Sequence, residues 1–307
     1  MRVAIAGSSG LIGAELARGL AAAGHGVLRL LRAPAPPLVT GEAQALWDPA
    51  RGVLDPYALD GCDVVVNLAG SNIAGGRWNG RRKEEIRSSR VQATLLLASA
   101  VASLEPPPRL LFCASAIGYY GHRPPDEILD EFSPAGQSLF AHLVQEWEAA
   151  AAPAVAAGVR TVHARFGLVL SARGGALKRM LPLFRLGAGG RFGSGRQAMS
   201  WIALTEILPA MLHVLEHEEL SGPVNFTAPG AVSNAAFTRI LARVLRRPAV
   251  AHVPAPLLRI ALGEMADELL LSGQRVFPAK LIASGYSFQH PALAQALATV
   301  LSTRRSE

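Results

Sequence analysis

The stretch Met1–Gly24, "MRVAIAGSSGLIGAELARGLAAAG", decides the fold. Its first part runs almost wholly apolar to Ala6, as a strand buried on both faces does. Gly7, Gly10 and Gly13 follow, and then Leu16, Leu20 and Ala23 recur at the spacing of one helix face before Gly24. Three glycines between a buried strand and a helix permit a tight turn and let backbone N–H groups approach a pyrophosphate at the helix N-terminus. The G-x-x-G-x-x-G spacing is one residue wider at its start than the usual dinucleotide fingerprint, but the same physics applies. Gly7, Ser8, Ser9, Gly10, Leu11, Ile12 and Gly13 are therefore the expected pyrophosphate-binding turn.

The second strand, "VLRLL", indicates which dinucleotide. An NAD site places an acid about 20 residues past the glycines, on the ribose hydroxyls. No acidic residue stands between Glu15 and Glu42. Arg29 lies within the strand and Arg32 at its end, and an arginine there suits a 2′-phosphate. The expected cofactor is NADP, with Arg32 on the 2′-phosphate.

Farther out, apolar runs alternate with helical patterns: "DVVVNLAG", a helix over Lys83 to Ala102, "RLLFCAS", a helix over Ser138 to Ala152, "RTVHARF" and "PVNFTA". This alternation predicts an α/β fold, a Rossmann-type doubly wound parallel sheet. Near Val232 the texture changes. Asn234 reads as an N-cap for a helix carrying Phe237, Ile240, Leu241 and Val244. The expected division is a nucleotide-binding part over 1–230 and a smaller, mainly helical part over 231–307.

The chain has 307 residues, of which 50% are hydrophobic and 17% charged, a folded composition rather than a disordered one. Cys62 and Cys113 lie far apart in apolar contexts and read as reduced core residues. An opening directly on a strand has no signal peptide, and no stretch reads as a membrane span, so a cytoplasmic protein is expected. The net charge of +7 is scattered. Its densest cluster, Arg77 to Arg90, is interrupted by Glu84 and Glu85, which argues against a nucleic-acid face. No histidine or cysteine pattern fits a metal site. The expected partner is a small-molecule substrate; the oligomeric state is not legible.

With the glycine loop, "VNLAG", "SAIGYYG", "GSGRQAMSWI" and "GEMADELLLSGQRV" in view, the chain resembles the NAD-dependent epimerase/dehydratase-like branch of the atypical short-chain dehydrogenase/reductases. More narrowly, it is similar to small epimerase-family proteins with a C-terminal helical domain of unassigned function. The resemblance implies that Leu68, Ala69 and Gly70 line the adenosine side. It also implies that Glu85 and Arg90 approach the cofactor, that Val169 touches the nicotinamide end, and that Ser115 hydrogen-bonds a reacting oxygen.

Catalytic members also carry Tyr-x-x-x-Lys on the helix after that serine. Here Phe140 and Val144 fall at those positions, on one apolar stripe with Leu143, Trp147 and Ala151, and neither moves a proton. His142 and Gln145 are expected to point elsewhere. Tyr119 and Tyr120, bracketed by Gly118 and Gly121, replace the missing acid, line the pocket or simply pack, and the sequence leaves all three readings open. Between Gly187 and Gly195 five glycines are too many for a regular element. That segment is expected to be a mobile loop presenting Arg191, Arg196 and Gln197 to a substrate. Arg77 and Trp78 form a second expected cleft loop. An NADP(H)-binding oxidoreductase is the first functional expectation, and a non-catalytic NADP-binding sensor is its rival.

Overall fold

Seven parallel strands and one short antiparallel strand make a single sheet; the structure, a computed structural model, describes residues 1–302. In chain order the strands are β1 (Arg2–Ala6), β2 (Gly26–Leu31), β3 (Ala43–Asp48), β4 (Val53–Leu54), β5 (Val64–Asn67), β6 (Leu110–Ala116), β7 (Thr161–Phe166) and β8 (Gly222–Phe226). Their spatial order is β8-β7-β6-β5-β1-β2-β3-β4, with β4 the antiparallel member. The chain winds outward from β1 through β3, then returns to β5 on the other side of β1. The expected doubly wound fold is therefore present, and its switch point lies between the C-terminal ends of β1 and β5.

Strand alternation assigns the two faces. Val3, Ile5, Val66, Phe112 and Val162 point to one side, where α1 (Leu11–Ala22) and a helix over Leu204–Glu216 cover them. Ala4, Ala6, Val65, Leu111 and Cys113 point to the other, beneath α2 (Gly80–Ala102). Within α1 the buried face is Gly13, Leu16, Ala17 and Leu20, whereas Ala23 lies past the helix end and is exposed, contrary to the periodicity. Burying side chains such as Leu16 and Leu20 contributes about 1.5–3 kcal/mol each. α2 begins at Gly80, earlier than Lys83, because the Asn79 side chain accepts from the Arg82 N–H at 2.8 Å and caps it. α3 (Leu139–Ala149) carries the expected apolar stripe: Phe140, Leu143, Val144 and Trp147 are buried.

A further core joins Leu170, Leu177, Phe184 and Trp201 to Phe237, Leu241, Leu293 and Leu297 from later in the chain. The helix at Asn234–Leu245 is capped by Ser233, whose Oγ accepts from the Ala236 N–H. Asn234 is instead buried as its first residue, and its Oδ1 accepts from Phe192 N at 2.9 Å. Among the described residues no helix is long and apolar enough to cross a membrane.

The glycine-rich segment differs from its expectation. Gly190–Phe192 is a strand paired with Ala251–Val253, and Ala198–Met199 pairs with Val232–Ser233. Gln197 is buried, its Nε2 donating to the Phe192 and Leu270 carbonyls, so it faces the protein rather than a ligand. Close approach explains the glycine content: a Cβ at Gly190 would lie 2.1 Å from the Ala251 carbonyl oxygen.

Candidate functional site

The nucleotide side forms where β1 ends. Gly7 has φ +78°, and a Cβ on it would stand 2.7 Å from the Leu68 backbone. A Cβ on Gly13 would stand 2.3 Å from the Gly7 carbonyl oxygen, so only glycine lets α1 sit this close to the turn. Gly10 is the N-cap and no side chain caps α1. Its first N–H groups and its positive end remain available to an anion. Beside them lies a cavity of about 630 Å³, lined by Ser9, Gly10, Leu11, Glu15, Arg18 and Arg173 among others.

Leu68 follows β5 directly and is tied to β1 by its N–H on the Ala6 carbonyl at 2.9 Å, so Leu68–Gly70 borders the same turn. Arg32 is exposed at the end of β2 and enters no ion pair among the described residues. Arg29 does something else. Its Nε donates to Ser8 Oγ at 3.1 Å and its Nη1 to Glu42 Oε1 at 2.7 Å, all three groups withdrawn from solvent. Arg29 therefore braces the turn through the buried Ser8 side chain. The turn and the exposed arginine fit a phosphorylated dinucleotide.

The reaction side is built by register. Ser115 on β6 pairs with Arg165 on β7, and Arg165 with Asn225 on β8. Three polar side chains thus stand in a row near the C-terminal edge, on the face covered by α3. From α3, Glu148 reaches down to them. Ser115 Oγ donates to Glu148 Oε1 at 2.5 Å, while Arg165 holds both carboxylate oxygens at 2.8 Å through Nε and Nη2. Arg165 Nη1 donates to the Tyr120 hydroxyl at 3.1 Å, and that hydroxyl donates to Asn225 Oδ1 at 2.8 Å.

Of the readings open for Tyr120, this network favours packing. It is fully buried, its hydroxyl makes two protein hydrogen bonds, and burial pushes the phenol up to about 12 despite Arg165. Its hydroxyl is thus spent on Arg165 and Asn225, and it braces the site. Tyr119 is partly exposed, with Arg165 Cζ 3.4 Å above its ring, as a pocket-lining residue can be. Ser115, expected to hydrogen-bond a reacting oxygen, donates to Glu148. Phe140, at the position of the missing tyrosine, closes over Gly118, where a Cβ would stand 2.3 Å from its ring. His142 is exposed, and Gln145 Nε2 turns back to the Gly136 and Ala141 carbonyls, both away from the cleft as expected.

The remaining expected residues divide. Trp78 is buried against Phe140, ring centroids 6.2 Å apart, with its indole N–H on the Ile73 carbonyl. Arg77 is exposed beside Gly263. Glu85 is exposed and pairs with Arg82. Arg90 is buried against Gly70, donates to the Ile86 and Ser71 carbonyls, and keeps an Nε without a partner. Burial, with the Arg82 charge second, lowers its guanidinium to about 10. Val169 sits on a short strand paired with Trp201–Ala203 and packs on the core over α1. Arg196 is exposed. Sequence reading missed Arg165 and Asn225 altogether. Their only signal was one polar residue near the end of each of two apolar strands.

The switch-point turn, the uncapped helix and the parallel sheet define a Rossmann-type dinucleotide-binding protein. Residues 3–226 match the NAD dependent epimerase/dehydratase family, and residues 253–300 match a domain of unknown function, DUF1731. The chain belongs to that epimerase/dehydratase family. It is 47% identical over 296 residues to epimerase family protein Mb2239 of Mycobacterium bovis, covering 96% of each chain. It is 38% identical to epimerase family protein SDR39U1 of Bos taurus, over 98% of this chain and all of that one. The crystal structure of human SDR39U1 isoform 2 with NADPH superposes with a TM-score of 0.87 at 35% identity, over 98% of this chain and 99% of that one.

Proposed function

We propose that this chain is an NADP(H)-dependent oxidoreductase or epimerase-like enzyme acting on a small hydroxyl-bearing, carbonyl or sugar-type substrate. The cofactor assignment draws on the glycine turn, the exposed Arg32 and the NADPH carried by the human relative. When bound, the nicotinamide supplies the hydride acceptor or donor. The residues of this chain decide how the accompanying proton is handled.

The observation that carries the reading is the 2.5 Å bond from Ser115 to Glu148. With its proton on that bond, Ser115 turns lone pairs, not a donor, toward a ligand. The site is therefore suited to receive a hydroxyl. As a substrate C–H bond gives up its hydride, the hydroxyl proton passes to Ser115 Oγ while the Ser115 proton passes to Glu148. The substrate becomes a carbonyl and the carboxylate a carboxylic acid. In the reverse direction Glu148 returns the proton through Ser115. Arg165 fixes the carboxylate, Tyr120 accepts from Arg165, and Asn225 accepts in turn from Tyr120.

A second reading, a non-catalytic NADP-binding sensor, is favoured by Phe140 and Val144 standing where a proton-transferring pair is absent. Parallel titrations with NADPH and NADH, followed by nicotinamide fluorescence, test the cofactor on the native chain and Arg32→Glu. The expected outcome is tight NADPH binding that weakens selectively in the variant. A panel of alcohols and sugars with NADP then tests turnover. Glu148→Gln is expected to keep NADPH binding and lower turnover about 100-fold or more, the usual range for a proton-transfer group. Unchanged turnover removes Glu148 from the mechanism, and binding with no turnover of any kind selects the sensor.

A further inference from the structure

We propose that Arg173 grips the cofactor pyrophosphate and that Glu15 orients it; the inference rests on the NADP(H) reading above. Arg173 stands in the turn after the strand Leu168–Leu170, far in sequence from the glycine loop. The fold brings the two together. A Cβ on Gly174 would lie 3.0 Å from Leu11 Cδ1, so the turn rests on the first residue of α1. Arg173 N donates to Ser171 Oγ at 3.1 Å, which holds the backbone of the turn. Arg173, Gly174, Ser9, Gly10 and Leu11 line one cavity, the space faced by the uncapped N-terminus of α1.

The guanidinium is half-used. Its Nη2 donates to Glu15 Oε2, while Nε and Nη1 have no partner among the described residues. A planar fork with one arm anchored and the others free matches a pyrophosphate, whose oxygens accept from several N–H groups at once. The charge balance points the same way. Glu15 lines the cavity that must receive the anion, and unpaired it would repel that anion. Arg173 cancels that carboxylate and still offers donors, whereas a residue that only neutralised Glu15 would need no free arms.

The test is the affinity of four proteins for NADPH, NADH and 2′-AMP: native, Glu15→Gln, Arg173→Gln and the double variant. Arg173→Gln is expected to weaken both dinucleotides about tenfold or more, equally, because the pyrophosphate is common to them. This differs from Arg32→Glu, which acts on NADPH alone. 2′-AMP, which lacks the pyrophosphate, should bind Arg173→Gln as it binds the native chain. Glu15→Gln is expected to weaken both dinucleotides by a smaller factor, through a less ordered Arg173. The double variant should stay weak. Restored affinity in the double variant would mean that Arg173 merely cancels Glu15, and the proposal falls. It also falls if Arg173→Gln binds both dinucleotides normally, or if it loses 2′-AMP as well, since the turn would then shape the pocket rather than hold the anion. A native chain that binds neither dinucleotide removes the cofactor reading itself.

Discussion

At Ser115 the hydroxyl proton lies toward Glu148, which leaves the serine lone pairs to face a ligand while the carboxylate stays ionised. The residue was legible in sequence because it ends an apolar strand. Its polarity was not, because that depends on which strands lie side by side and in what register. Gly13 is the opposite case. The requirement is written in the residue type, since a Cβ there would meet the Gly7 carbonyl oxygen at 2.3 Å and Ser8 Cα at 2.8 Å, both backbone. Gly13→Ala is expected to push α1 off the turn, costing on the order of 1–3 kcal/mol as an overpacked core does. Urea unfolding and NADPH titration would read this together. Native affinity in the variant would show that the turn tolerates displacement.

Elements were legible where their period was unbroken. β1, β5 and α3 each carry an apolar pattern that admits one reading. The segment from Gly187 to Met199 was not, because its short strands owe their existence to partners such as Ala251–Val253 that lie far along the chain. Local composition says nothing of such partners. The same long reach fixes the helix Leu204–Glu216. Glu206 is buried and accepts from the Tyr286 hydroxyl at 2.6 Å and from the Gln289 and His290 N–H groups at 3.0 Å each. Glu206→Ala would take their acceptor from three partly buried donors and from the fold that they tie together. The expected loss is about 3 kcal/mol or more of unfolding free energy, measurable by urea denaturation. A loss below about 1 kcal/mol would mean that water replaces the carboxylate.

Across the molecule, interior histidine couples stability to acidity. His163 on β7 is held below its ordinary value, by burial first and by the Arg165 charge, against an opposing pull from Glu148. The folded state keeps it neutral, while the unfolded chain takes up a proton as pH falls through about 6.5. Folding stability should therefore drop on acidification from about pH 7.5 to 5.5, and the drop should shrink in His163→Gln. Equal drops in the two proteins would assign the effect to other groups.

The row Ser115–Arg165–Asn225 has a further consequence, for biosynthesis. The backbone that the glycine turn itself meets, Leu68 and Ala69, is made early, although Arg173 and Gly174 join the same cavity later. The Tyr120 hydroxyl, by contrast, has no acceptor until Asn225 has emerged from the ribosome, and the Gly121 carbonyl must wait for the Gln274 side chain. The centre that handles the proton is thus among the last parts of a nascent chain to set.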